Sequence, residues 1–560
     1  MKQILTALFL LFTFLSAHAQ QTVGLFTQNS GSLDGYVLFA PIRSDTTYLI
    51  DKCGKKIHQW SSTRNPGLSV YLLPDGSLLR TGAIPNPTFN GQGSAGGLIE
   101  KYDWNNNLVW SYTISSTNEI QNHDIYPLPN GNILVAIWEN FTSTQALAAG
   151  RNPAILGTSL WSAKLEEIQP VGTTSANIVW QWDLWDHLVQ DYDSTKSNYG
   201  IVTNHPELLN LNYNGTNTAT AKDWIHLNAV TYNSALDQVM FSSHNLSEIY
   251  IIDHSTTTAQ AASHAGGTHG KGGDFLYRWG NPQAYNRGTD ADRKLFLQHN
   301  PTWIPVGYPD ENKIMIFNNG VSRPGGNAAS VDIISPPVDS LGDYSIVPAQ
   351  PFGPATIDWS YMNPVPTSFY TPVMGGAQRL PNGNTIICEA TRGNFFEIDS
   401  AKNIVWRYVN PVDSTGPISQ GTTTSKNEVF RCLFFEPSYS GFTGHTLTPG
   451  NPIELNPLPY NCTMITGIDE NILNENSSLT ISNPFTNNLF IHANADLKNT
   501  TVTLLDIAGR IIEKWNSLSI NAEENKELTL QSSLADGIYF LNIQNATVYY
   551  STKLVRVSTK

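Results

Sequence analysis

Short runs in which apolar and polar positions alternate recur along the chain, broken by Gly, Pro, Asn and Asp. A period of two predicts short β-strands joined by tight turns. One unit is a strand, a turn, and a second strand closing on an aromatic pair. It occurs as YLIDKCGKKIHQW (Tyr48 to Trp60), LIEKYDWNNNLVWSY (Leu98 to Tyr112) and FFEIDSAKNIVWRY (Phe395 to Tyr408). Looser copies end in NIVWQW (Asn177 to Trp182), DFLYRW (Asp274 to Trp279) and ATIDWSY (Ala355 to Tyr361). A second unit, a hairpin, follows several of them: LLPDGSLL (Leu72 to Leu79), PLPNGNIL (Pro127 to Leu134) and RLPNGNTII (Arg379 to Ile387). The segment WIPVGYPDENKIMIF is a lengthened copy. Asn-Gly and Asp-Gly are expected to supply the positive φ angles of two-residue turns.

Each unit is a small antiparallel sheet that cannot bury both faces alone. Stacking six such sheets around an axis buries them against one another. The fold class predicted is therefore all-β, a six-bladed β-propeller over 20–454, with a stacked β-solenoid as the structural alternative. Inner strands and loops at one end would then face a central channel. Past about Glu454 the hairpin signal disappears. An Asn- and Glu-rich linker is expected over 455–475, and about seven short strands over 476–560 predict a small β-sandwich.

The N-terminus is different again. Lys2, an apolar run from Ile4 to Leu15, and Ala17-His18-Ala19 have the order of a signal peptide, 1–19, with Gln20 as the first mature residue. The run is too short to span a bilayer. The formal net charge of -14 comes without a basic stripe, which argues against nucleic acid or an anionic membrane as partner. The four cysteines lack zinc-ligand spacing; in an exported chain they could pair in any of three ways.

The chain has thirteen histidines. His58, His254, His264 and His269 have plain surface or loop settings, and no carboxylate stands at ligand spacing from His264 or His269, so no metal and no cofactor is expected. His187 fits packing or the channel equally well. Four others recur beside strand ends: His123 in NHDIYPLPNGN, His226 in DWIHLNAV, His244 in SSHNLSEIYIID and His299 in QHNPTWIP. Arg278 precedes a repeat Trp. In a propeller such positions converge on one end of the channel. Neutral imidazole is a nucleophile near neutral pH, and neighbouring His and Arg side chains can hold oxyanion oxygens and exchange protons with a phenol. That chemistry suits sulfuryl or phosphoryl transfer through a covalent histidine. No GxSxG elbow and no phosphate-binding P-loop is present; GGTHGKGG lacks the spacing and the Ser or Thr of one.

Together, NHDIYPLPNGN, DWIHLNAV, SSHNLSEIYIID, QHNPTWIP and RLPNGNT resemble the arylsulfate sulfotransferase family in its secreted bacterial branch, from about Gly35 to Glu454. The resemblance implies a six-bladed propeller. It implies ping-pong transfer of sulfate from an aryl sulfate to a phenolic acceptor through sulfohistidine, without the nucleotide donor PAPS. It places the sulfated histidine at His299 and the companion histidines at His226 and His123. Where the family has an arginine, this chain has His244, and Asn300 and Pro301 follow His299 in place of an acidic and a small residue. Arg278 is the candidate for the missing charge, and Trp224 and Trp303 are candidates for contact with the aryl ring. In the tail, NPFTNNLFI, DIAGR, GIYFLNI and KLV resemble the C-terminal sorting domain of type IX secretion cargo, which implies that machinery as partner and a secreted or surface location. The alternative from another class is a non-catalytic surface propeller that binds a glycan or a protein.

Overall fold

The structure is a computed structural model that describes residues 21–90, 96–217, 220–458, 462, 479–506, 511–530, 534–544 and 549–558. The proposed signal peptide lies outside these residues, as does most of the proposed linker. The chain divides into two compact units, Met1–Thr463 and Met464–Lys560.

In the first unit the repeats become six antiparallel sheets in chain order. Sheet 1 runs Val429–Phe435, Tyr36–Pro41, Thr46–Asp51, Lys56–Ser61. Sheet 2 runs Pro66–Leu72, Leu78–Ala83, Gly97–Tyr102, Leu108–Thr113, and sheet 3 runs Glu119–Pro127, Ile133–Thr142, Ser159–Val171, Ser175–Asp183. Sheet 4 runs Leu227–Asn233, Gln238–Ser243, Glu248–Asp253, Tyr277–Trp279, and sheet 5 runs His299–Trp303, Ile314–Asn318, Ser330–Ile334, Trp359–Tyr361. Sheet 6 runs Gly376–Arg379, Thr385–Glu389, Asn394–Ile398, Ile404–Val409, with Gly24–Gln28 added at its outer edge.

The first-named strand of each sheet touches the first strand of the next, and the cycle closes between sheets 6, 1 and 2. Sheet 1 takes its first strand from far along the chain, so Tyr36 pairs with Phe435 and the ring is joined by backbone hydrogen bonds. Six separate apolar clusters fill the six junctions between neighbouring sheets. That is where the apolar half of each alternation goes, and burying it is the main force holding the ring.

The repeat aromatics fall on the fourth, outermost strands, and they fasten each sheet to the next. Trp60 donates its indole N–H to Asp103 O at 3.0 Å, Trp110 to Ser175 O at 2.9 Å and Trp182 to Gly273 O at 2.7 Å. Trp279 donates to Pro354 O at 2.9 Å, and Trp406 to Lys52 O at 2.7 Å. Each acceptor lies just before or within the outer edge of the following sheet. At the remaining junction Lys402 of sheet 6 lies 5.3 Å from the Trp359 ring centre and donates to Ser360 O at 2.7 Å. A large ring that also carries one donor satisfies both the apolar cluster and an orphan carbonyl.

The hairpins differ from the sequence expectation. In Leu73 to Ser77 the Leu73 N–H bonds Ser77 O at 2.8 Å and the Gly76 N–H bonds Leu73 O at 2.9 Å. The turns at Leu128 and Leu380 repeat this pattern. Only the glycines, Gly76, Gly131 and Gly383, have positive φ, so these are three-residue loops ending in a glycine bulge rather than two-residue turns.

Cys53 is disulfide-bonded to Cys462 with Cα atoms 5.6 Å apart, and Cys388 and Cys432 are buried thiols. The second unit has seven strands among its described residues. Leu479–Ile481, Asn488–Ala493 and Glu524–Thr529 form one sheet. Ile511–Ile520, Leu497–Asp506, Gly537–Gln544 and Tyr549–Arg556 form another, and both contribute to a single apolar cluster.

Candidate functional site

Four of the sequence-predicted histidines stand in one row. Ring centres are 4.6 Å apart for His123 and His226, 4.9 Å for His226 and His244, and 5.3 Å for His244 and His299. His226 and His299 stand at the starts of the first strands of sheets 4 and 5, His123 lies mid-strand at the register slip in the first strand of sheet 3, and His244 is in the turn after the second strand of sheet 4. His244 is tied to its neighbour by its N–H, which bonds His226 O at 3.1 Å.

The local backbone explains how strands can aim side chains this way. His123, His226, Leu297 and Asn300 all have φ near +50° to +60°, a region non-glycine residues rarely occupy. Strand register slips beside His123 and between His299 and Thr302. A bulge turns the side chain out of the alternation, and such strain persists only where the surroundings hold it. Here amide side chains do so between neighbouring sheets. Asn122 Nδ2 donates to Leu227 O at 2.9 Å, and Asn228 Nδ2 to Gln298 O at 2.7 Å. Asn300 Oδ1 accepts from Ala377 N at 3.2 Å.

Every histidine in the row has its Nδ1 fixed. Asn122 Oδ1 is 2.6 Å from His123 Nδ1, Asn245 Oδ1 is 2.8 Å from His244 Nδ1, and Asn319 Oδ1 is 2.8 Å from His299 Nδ1. His226 Nδ1 meets Asp223 Oδ2. The amide nitrogens of Asn122, Asn245 and Asn319 donate to backbone carbonyls, so their oxygens must face the rings. In His123, His244 and His299 the Nδ1 therefore carries the proton, and the Nε2 of the neutral ring keeps a lone pair. Among the described residues His244 Nε2 has no partner, while His299 Nε2 accepts only a long bond from Met374 N–H, at 3.2 Å.

Burial holds His123, His244 and His299 neutral. His299 is lowered to about 3, first by desolvation and also by the neighbouring His226 and Arg431 charges. His123 and His244 are pushed well below the ordinary histidine value by desolvation and then by their companion histidines. An unprotonated imidazole with a directed lone pair is a nucleophile and a proton acceptor.

The cation beside the row is Arg431, which sequence reasoning missed. It stands on the first strand of sheet 1 and binds Asp124 with both terminal nitrogens, Nη1 to Oδ2 at 3.0 Å. Arg278, the expected charge, is elsewhere. It lies on the outermost strand of sheet 4, fully buried, with Nε 2.9 Å from Glu248 Oε1 and its guanidinium 4.3 Å from the Tyr285 ring centre. Trp224 is likewise corrected: it is fully buried, donates to Tyr213 O at 2.8 Å and does not face the row. The aromatic beside the row is Trp138, 5.9 Å from His123 and 5.7 Å from His226 between ring centres. Its Nε1–H and that of adjacent Trp161 are buried without an acceptor among the described residues. Trp303 lines a separate cavity of about 250 Å³ between the first strands, where Tyr71, Tyr126, Asn300 and Arg431 also contribute.

Of the histidines expected in loops, His264 keeps that exposed setting, while His254 and His269 do not. His254 is held between Asp237 and Glu167, at 2.8 and 2.9 Å, and is raised to about 9 by those two carboxylates against the cost of burial. His269 is buried against Asp343, His58 stacks on Trp104, and His187 and His264 share Asp274.

A ring of antiparallel sheets that carries a row of four histidines defines an all-β protein with a candidate site. The chain belongs to the arylsulfotransferase (ASST) family, whose model matches residues 45–431. Residues 482–557 match the secretion system C-terminal sorting domain, which supports export to the cell surface or beyond. No curated protein matches the chain. Among solved structures, a protein of unknown function from Bacteroides caccae aligns with TM-score 0.38 at 10% identity, over 72% of this chain and 99% of that one. Virginiamycin B lyase from Staphylococcus aureus gives 0.32 at 11%, over 71% and 89%. A periplasmic gluconolactonase from Pseudomonas aeruginosa gives 0.33 at 9%, over 89% and 100%. These likenesses are too low to carry a functional conclusion. Among the described residues no helix is long and apolar enough to cross a membrane.

Proposed function

We propose that the first unit is a six-bladed propeller that transfers a sulfuryl group from an aryl sulfate to a phenol, with His299 as the group carrier. The observation that carries this reading is the fixed Nδ1 of His299, which leaves a neutral, directed Nε2 beside three more histidines. Family membership supplies the reaction class. Nε2 attacks sulfur as the S–O bond to the aryl group breaks. The aryl oxide takes a proton from the imidazolium form of His226, which Asp223 supports. In the second half a phenol oxygen attacks the sulfur of sulfo-His299, the S–N bond breaks, and the phenol proton passes to His226. His226 suits this role because its Nδ1 partner is the only carboxylate among the four, and a carboxylate supports imidazolium as it forms. The unpaired indole N–H groups of Trp138 and Trp161 are the donors for the sulfuryl oxygens, and His123 and His244 line the site beside them. Arg431, its charge balanced by Asp124, stands behind the row. The second unit is read as a β-sandwich that directs the chain through type IX secretion.

The test is release of 4-nitrophenol from 4-nitrophenyl sulfate with phenol as acceptor. Wild type should show acceptor-dependent release, and His299→Ala should lose at least about a thousandfold with an unchanged far-UV spectrum. A folded His299→Ala that still turns over removes the assignment.

A further inference from the structure

His187, His264 and Asp274 form a second histidine cluster, on the outer side of sheets 3 and 4 and apart from the row. His187 follows the last strand of sheet 3, is fully buried, and stacks parallel on Trp182 with centres 5.5 Å apart. Its Nε2 lies 2.7 Å from Ala261 O. A carbonyl only accepts, so Nε2 carries the hydrogen. Its Nδ1 faces Asp274 Oδ1 at 2.8 Å. His264 Nδ1 points at the same oxygen from 2.7 Å. A histidine whose far nitrogen donates to a backbone carbonyl while its near nitrogen meets a carboxylate and another imidazole has the outer arrangement of a metal ligand.

We propose that these three residues bind one borderline divalent cation of the Zn²⁺ type through His187 Nδ1, His264 Nδ1 and an Asp274 carboxylate oxygen. The three ligand atoms already lie within 4.8 Å of one another. Tetrahedral coordination at ordinary zinc distances separates ligands by about 3.3 Å. The two nitrogen-to-oxygen pairs, at 2.8 and 2.7 Å, therefore have to open by about half an ångström. His264 can give way, since its side chain is 61% exposed and sits on a loop. Two nitrogens and one oxygen suit zinc rather than Ca²⁺ or Mg²⁺. A cavity of about 640 Å³ opens in front of the cluster, bordered by Asp186, His205 and Glu207, and leaves room for a solvent molecule as fourth ligand. The back of the site is rigid. A Cβ on Gly273 would stand 2.0 Å from Ala261 O and 2.5 Å from His187 Nε2, so this position fits glycine alone. The ion would pin the Gly-rich segment that carries His264 onto sheet 3.

The experiment uses the full chain, stripped with EDTA, and ZnCl₂ alone. Metal content after desalting, competition titration and thermal melting are read for wild type, His264→Ala and Asp274→Asn. Wild type should retain one zinc per chain and melt at a higher temperature with it. Both variants should bind at least about tenfold more weakly. His264→Ala should match the metal-free melting temperature of wild type and keep its 4-nitrophenyl sulfate turnover. Failure of wild type to retain zinc, or undiminished binding in both variants, overturns the proposal and leaves the cluster as a hydrogen-bonded His187–Asp274–His264 contact.

Discussion

His254 and His299 are both largely buried, yet they hold opposite protonation states. His254 sits between Asp237 and Glu167 and is raised to about 9. His299 has an amide, Asn319, in the equivalent place and is lowered to about 3. Burial disfavours charge in both; the partner of the ring nitrogen decides the outcome. One histidine is a fixed cation joining sheets 3 and 4, and the other is a free base. The chain thus builds a structural and a reactive imidazole by exchanging a carboxylate for a carboxamide.

The largest way to break this comparison is Asn319→Asp, which gives His299 the kind of partner His254 has. The acid limb of kcat/KM should rise from near pH 3 by about 1–3 units. At pH 5 transfer would fall by up to about tenfold, and at pH 8 it would be unaffected. An unshifted limb would separate the amide from the protonation state.

His254→Gln tests the other side. Because the folded-state value of His254 is raised, its stabilisation is fully present below the unfolded value near 6.5 and is lost as pH rises through about 9. Removing it should cost on the order of 2–3 kcal/mol at pH 7, with the difference from wild type vanishing above pH 9, measured by urea unfolding. The row has the reverse sign. His123, His244 and His299 are lowered, so the stability tied to their neutral forms is present above pH 6.5 and is withdrawn as pH falls toward their folded values.

The smallest effect is expected from replacing Arg278 and Glu248 together, as Arg278→Met with Glu248→Leu. Swapping a buried ion pair for apolar side chains is near neutral for stability, and transfer kinetics should not change. Arg278→Met alone leaves Glu248 buried without its partner and should cost about 3–5 kcal/mol. A large loss of turnover in the double variant would return Arg278 to the site.

Much of this was legible in the sequence because its signals are local. The repeat aromatics recur once per sheet, and each lands on a fourth strand where it fastens the next sheet. The row was legible because each of its four histidines falls in a short motif; three adjoin strand ends, and His123 lies mid-strand at a register slip. What was missed depends on contacts distant in sequence. Arg431 lies 307 residues from Asp124, and VFRCLFF reads as a plain buried strand. Trp138 is hidden in the apolar run ILVAIWENF. His187 and Asp274 are 87 residues apart, so the carboxylate that completes that cluster had no sequence signal. Arg278 was misplaced because proximity to a repeat Trp puts it on the outermost strand, three strand spacings of about 4.8 Å from the first. The glycine-bulge hairpins were missed because an Asn-Gly pair does not by itself count the residues in its loop.

The central claim is that His299 carries the sulfuryl group. The direct measurement is mass spectrometry of the wild-type chain after brief exposure to 4-nitrophenyl sulfate without acceptor, quenched without acid. The account predicts a gain of one SO₃ on the peptide containing His299, discharged when phenol is added. Turnover with no covalent gain, or a gain confined to another histidine, would contradict it.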